Sequence, residues 1–130
     1  LLSRRLPDDF LVAVQNPVSI GQDSEPEPDL SVLKFREDFY RASHPTAEDT
    51  LLIIEVADSS LEKDRKVKLP LYASAGIPEA WIVNLPTGQL ERYRRPAQGD
   101  YSDAQVLLPG DRIETELAVA LILGKSGGNG

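Results

Sequence analysis

The stretch Leu51-Leu52-Ile53-Ile54-Glu55-Val56-Ala57-Asp58 decides how the rest of the chain is read. Apolar residues run straight into an acid. A continuous leucine and β-branched run of this length predicts a strand buried on both faces. A carboxylate at the end of such a strand is costly to bury alone. Glu55 therefore either stands at the open strand end, in water, or has a cationic partner. A second acid, Asp29, follows Pro28 and opens another apolar strand, expected over residues 29–33. Two strands that each carry an acid at one end can set two carboxylates side by side, which is how a divalent-metal site is built.

Beyond the strand, Asp58-Ser59-Ser60 has the capping chemistry of a helix start, and residues 61–75 carry helical periodicity. With Leu61 at zero and about 100° per residue, Lys68 falls at about −20°, Tyr72 at about +20°, Leu71 at about −80°, Ala75 at about −40° and Leu69 at about +80°. Lys68 is thus aimed at the sheet, with Asp64 and Arg65 flanking the stripe, whereas Lys63 and Lys66 face solvent. Tyr72 reads as core that also stands one turn from Lys68. Pro70 predicts a kink, or a helix that starts near Leu69. Gly76 is placed as a C-cap, with Pro78 beyond it.

The remaining chain reads as strands and turns. Residues 1–9 look like an irregular lead-in, 10–14 a strand, and 34–49 a polar connection holding His44, the one histidine, on the surface. Residues 80–85 form a buried strand, 89–95 its hairpin return and 101–108 a further strand. Residues 112–114 and 117–123 are further short elements, and 124–130 is a Gly/Ser-rich flexible tail. The expected fold class is α/β (α+β): a mixed β-sheet flanked by helices, in a single domain over residues 1–123.

Composition narrows the function classes. The 130 residues suffice for one core. With no cysteine, disulfides, cysteine nucleophiles and zinc–thiolate sites are excluded, which fits a cytoplasmic location. No apolar run approaches the ~20 residues of a membrane span. The net charge of −7 argues mildly against a nucleic-acid partner. Local clusters point the other way: Lys63, Arg65, Lys66 and Lys68, then Arg92, Arg94 and Arg95. The opening Leu1-Leu2-Ser3-Arg4-Arg5 has a mid-stream character, so an N-terminal segment is expected to be missing.

Asp29, Glu55 and Lys68 form the constellation that could carry chemistry. Two carboxylates suit Mg²⁺ or Mn²⁺, and a lysine beside them would stabilise developing charge or position a water. The same residues also serve a plain turn cap at Asp29 and a structural Glu55–Lys68 ion pair. Spacing alone leaves both readings open.

A family resemblance adds weight to the first. Pro28-Asp29 before a strand and Ile54-Glu55-Val56 within the next resemble the PD-(D/E)xK signature of the restriction-endonuclease-like superfamily. The text is closer still to the bacterial Uma family of that superfamily. The matching residues are Gln15-Asn16-Pro17-Val18, Glu25-Pro26-Glu27-Pro28-Asp29-Leu30, Glu55-Val56-Ala57-Asp58-Ser59-Ser60, Asp64-Arg65 with Lys68 and Tyr72-Ala73, and Ala75-Gly76-Ile77-Pro78-Glu79 with Trp81-Ile82-Val83. The superfamily's usual lysine, two residues after the acid, is Ala57 here. In the Uma family the lysine stands on the following helix, where this chain has Lys68. The resemblance implies a restriction-endonuclease-like core and Mg²⁺-dependent (or Mn²⁺-dependent) hydrolysis of phosphodiester bonds in DNA. Asp29, Glu55 and the Val56 carbonyl would hold the metal, and Lys68 would act on the water or the phosphate. It also allows a homodimer, the state in which related nucleases often act. The alternative is a catalytically inactive nuclease-fold module that binds nucleic acid or a protein partner.

Overall fold

The computed structural model describes residues 3–6, 10–21 and 24–108. Seven strands form one sheet in simple sequence order: β1 (Ser3–Leu6), β2 (Phe10–Val14), β3 (Leu30–Lys34), β4 (Thr50–Ala57), β5 (Glu79–Asn84), β6 (Gln89–Ala97) and β7 (Asp100–Leu107). All neighbours pair antiparallel except β4 and β5, which run parallel. A parallel pair needs a crossover between its strands. That crossover is the helical stretch 61–74, here called α1. The sheet is mixed, as expected, but among the described residues it carries one helix of more than a single turn rather than several. Residues 1–9 are corrected in part: Ser3–Leu6 pairs with β2 from Ser3↔Ala13 to Leu6↔Phe10. This strand is held by main-chain pairing, which has no side-chain signature in so short a polar segment. The elements expected at 112–114, 117–123 and 124–130 lie outside the described residues.

The opening stretch behaves as read. In β4, Leu52, Ile53 and Ile54 are buried, with Ile53 and Ile54 on opposite faces of the sheet. One face packs Ile53, Ala57, Ala80 and Ile82 against Leu69, Tyr72 and Ala73 of α1. The other face gathers Val12, Val32, Leu52, Ile54, Trp81 and Leu90. The 34–49 connection is less polar in effect than in text. Phe35, Phe39 and Tyr40 pack over Leu11, Ala13 and Leu33, and the Tyr40 hydroxyl donates to the Lys34 carbonyl at 2.7 Å.

Pro70 is accommodated by a change of helix type. Leu61–Lys63 is α-helical, Asp64–Lys68 is a π turn, and Leu69–Ser74 is α-helical again with Pro70 in its first turn. The Leu69 N–H reaches back to the Asp64 carbonyl, five residues earlier. Proline is tolerated in a first turn, where its missing N–H and its ring cost little. The extra residue in the turn sets everything after it back by up to about 100°. Ala73, on the flank of a regular wheel, thereby turns inward and is buried, while Leu71 and Ala75 move out to half-burial. The helix closes as expected: Gly76 at φ +82° donates to the Ala73 carbonyl and Ile77 donates to the Tyr72 carbonyl. These two bonds define a Schellman ending, in which only glycine takes the left-handed position without strain.

Candidate active site

Five side chains converge where β4 ends, β3 begins and α1 passes over the sheet. Leu30 pairs with Ile54, which brings Asp29, one residue before β3, beside Glu55 and Val56. The Asp29 carboxylate accepts the Val56 N–H at 2.7 Å, and the Asp29 N–H points at Glu55 Oε1 at 3.4 Å. The two acids are therefore neighbours: the Val56 main chain holds the Asp29 carboxylate and the Asp29 main chain faces that of Glu55.

Glu55 faces the helix. Its Oε2 accepts the Tyr72 hydroxyl at 2.7 Å and lies 3.3 Å from Lys68 Nζ. Lys68 Nζ also lies 3.2 Å from Asp64 Oδ1, while Asp64 Oδ2 accepts the Ser60 hydroxyl at 3.2 Å. Glu55 and Asp64 are 3% and 2% exposed, so both acids depend on these partners to remain in the interior. Burial pushes the Glu55 carboxyl above its usual range, and the nearby Asp29 adds to this, against the opposing pull of Tyr72 and Lys68. Burial works to lower the Lys68 ammonium, but Glu55 and Asp64 outweigh it and hold its pKa above the ordinary value. The Tyr72 hydroxyl is raised by burial and by the adjacent Glu55 charge, so it stays a donor.

Val56 contributes main chain. Along an extended strand, successive residues direct their N–H and C=O groups to opposite edges. The Ala57 carbonyl accepts from Leu85 N–H at 2.9 Å, on the β5 edge. Val56 therefore turns its carbonyl to the other edge, where Asp29 stands. The oxygen donors at the strand ends are two adjacent carboxylates and this carbonyl. Among the described residues no cluster of three acid or histidine side chains is arranged to hold a metal. The donor set is hard and incomplete. That fits Mg²⁺ or Mn²⁺, which keep several waters, and does not fit a closed all-protein cage.

The structure thus brings together Asp29, Glu55, Val56, Lys68 and Tyr72. Asp58 is exposed and apart from them, and His44 is an exposed loop residue. Asp64 is the member that the wheel placed only at the flank. Its spacing of four before Lys68 was the available signal. A second charged cluster had no such signal: Arg65 makes a two-point ion pair with Glu91 of β6, and the Tyr93 hydroxyl donates to Glu91 Oε1 at 2.5 Å. The basic clusters are largely neutralised by local acids, through Lys66–Glu62, Arg92–Glu79 and Arg94–Asp103. The described residues include no helix long and apolar enough to cross a membrane.

Comparisons with known proteins place this geometry in context. A family model, Uma2, described as "Putative restriction endonuclease", matches residues 1–123. No curated protein matches the chain. Among solved structures, the fold is similar to the crystal structure of a putative nuclease belonging to the DUF820 family from Anabaena variabilis, with a TM-score of 0.57 at 15% identity. The match covers 88% of this chain and 63% of that one, so the chain spans under two thirds of the length of that relative.

Proposed function

Since the chain belongs to the Uma2 family of restriction-endonuclease relatives, we propose that it is a metal-dependent endonuclease that hydrolyses phosphodiester bonds in DNA. The observation that carries this reading is the adjacency of Asp29 and the buried Glu55 on neighbouring strands with Lys68 alongside. Asp29, Glu55 and the Val56 carbonyl would hold Mg²⁺ or Mn²⁺. Bound there, the ion would supply Lewis acidity toward a phosphoryl oxygen and make a coordinated water more acidic.

The chain's own residues do the rest. Asp29 is oriented by the Val56 N–H, which donates to its carboxylate at 2.7 Å. Tyr72 fixes one oxygen of Glu55 by donating to it, so Glu55 Oε1 is the oxygen turned toward Asp29. Lys68 is half-buried and charged, and would stabilise charge developing on a scissile phosphate or orient the attacking water. Asp64 holds the lysine from its other side.

One observation favours a second reading. Lys68 already pairs with two buried acids, and Arg92 and Arg94 are paired with Glu79 and Asp103. A catalytically inactive nuclease-fold module would keep the same ion pairs for stability alone. Calorimetric titration with Mn²⁺ and incubation with supercoiled plasmid separate the two. Wild type should bind the ion and nick the plasmid, and Asp29→Asn should do neither. Wild type that binds no divalent ion at millimolar concentration and leaves plasmid intact overturns the enzymatic reading.

A further inference from the structure

We infer that Arg65 and Glu91 form a positioning pair that sets the rotation of α1 and thereby holds Lys68 over Glu55. For its catalytic meaning this rests on the nuclease reading, but the placement of Lys68 does not.

Glu91 is 3% exposed and is the third residue of β6. The sheet register runs Glu55↔Ile82↔Glu91, so the two buried acids stand on the helix-facing side, two strand spacings or roughly 10 Å apart. Each is met by one cation from α1: Glu55 by Lys68 and Glu91 by Arg65. The two cations reach for strands on opposite sides of β5. Because they pull in opposite directions across the sheet, only one rotation of the helix satisfies both.

That rotation is not the default one. The turn between Arg65 and Lys68 is a π turn, and a regular α turn would swing the side chains after it by up to about 100°. Pro70 disfavours a regular α turn but does not choose where the widened turn points. The Arg65–Glu91 contact does choose. It is bidentate through Nε and a terminal nitrogen, a geometry that fixes direction as well as distance. Tyr93 holds the carboxylate in place through Oε1, and Glu62 receives the remaining terminal nitrogen of Arg65 at 3.2 Å. A buried ion pair adds little stability over an apolar pair of similar volume, and its better-attested use is to specify register. The pair's further hydrogen bonds go to Glu62 and come from Tyr93, so the pair acts on the site through the helix.

The test reads Lys68 directly, without DNA or metal. Wild type and the double variant Arg65→Met/Glu91→Leu are acetylated with an N-hydroxysuccinimide ester, and each lysine is followed by mass spectrometry. In wild type, Lys68 should react more slowly than Lys66, which is 77% exposed against 32%. In the double variant Lys68 should react about fivefold faster or more, with Lys63 and Lys66 unchanged and a cooperative melt retained. Lys68 that stays as protected as in wild type, in a folded variant, overturns the inference. Should the double variant fail to fold, Glu91→Gln keeps the volume and one hydrogen bond. It should then give a smaller rise at Lys68 alone, and no rise would again overturn the inference. Where wild type nicks plasmid, the variants should lose nicking while Mn²⁺ binding stays at the wild-type value. Because acetylation is independent of nicking, a chain without nuclease activity still decides the positioning claim.

Discussion

The Tyr72 hydroxyl donates to Glu55 Oε2 at 2.7 Å from a residue with no solvent exposure, which ties the helix to the strand-end acid inside the core. A hydrogen bond to a charged group contributes about 1.5–3 kcal/mol. Tyr72→Phe should therefore destabilise the fold by about 1.5–3 kcal/mol in urea titration. The spectroscopic signature of a protonated Glu55 should extend to higher pH in this variant, since the hydroxyl opposes the effect of burial. A variant as stable as wild type would mean that the bond contributes nothing net.

Lys68→Met tests the second tie. Removing this ammonium leaves Glu55 and Asp64 buried without a cation. Breaking a buried pair in this way costs about 3–5 kcal/mol, and the lower end applies because Lys68 is 32% exposed. The loss should be largest near neutral pH and shrink as the pH falls and Glu55, whose carboxyl burial pushes upward, becomes neutral. Under the nuclease reading, plasmid nicking should fall by about 10²–10³-fold, and Lys68→Arg should not restore it because a planar fork does not replace a compact ammonium.

Glu91 gives a pH dependence of opposite sign to Glu55. The hydrogen bonds from Arg65, assisted by Tyr93, hold the Glu91 carboxyl below its ordinary 4.5. Its folded pKa lies below the unfolded one, so its stabilisation is complete above about 4.5 and is lost as the pH falls through the lowered value. Wild type should therefore lose stability in this acid range, and Glu91→Gln should show a flatter profile there. At neutral pH the substitution should cost about 1–3 kcal/mol, less than a fully enclosed pair, because Arg65 is 38% exposed. Chemical denaturation at a series of pH values measures both effects.

Gly76→Ala isolates the helix ending. An added Cβ meets nothing within 4 Å, so its effect is the left-handed φ of +82° alone. The expected cost is about 1–2 kcal/mol. Thermal melting should report that loss, with Mn²⁺ binding unchanged.

Much of this architecture was legible in the sequence because it rests on local pattern. The apolar run into Glu55 marked the central strand, and the 3.6-residue period aimed Lys68 at the sheet. Both follow from side-chain periodicity, which a sequence states directly. Pro70 signalled a disruption, and the structure shows its form, a π turn that also explains why Ala73 is buried and Leu71 only half so. What was not legible depends on pairing across the sheet. Glu91 looks like one more polar residue of a hairpin until the register sets it two strands from Glu55. Strand β1 carries no apolar alternation and is held by its main chain. Asp64 lay at the margin of the wheel because a regular helix was assumed where the real one widens.

The parallel pair β4–β5, joined through α1, has a consequence for how the cluster assembles. Glu55, Asp64, Lys68 and Tyr72 all fall within one strand–helix unit, with Tyr72 and Glu55 only 17 positions apart. Asp29 joins from 26 positions upstream of Glu55, through antiparallel pairing with a strand outside that unit. Contacts of short sequence separation close early in folding, because little chain entropy is lost in making them. The lysine, tyrosine and two buried acids are thus expected to meet first, on a strand and helix that fold together. Asp29 arrives when β3 docks, so metal-binding competence should lag behind helix formation in a stopped-flow experiment.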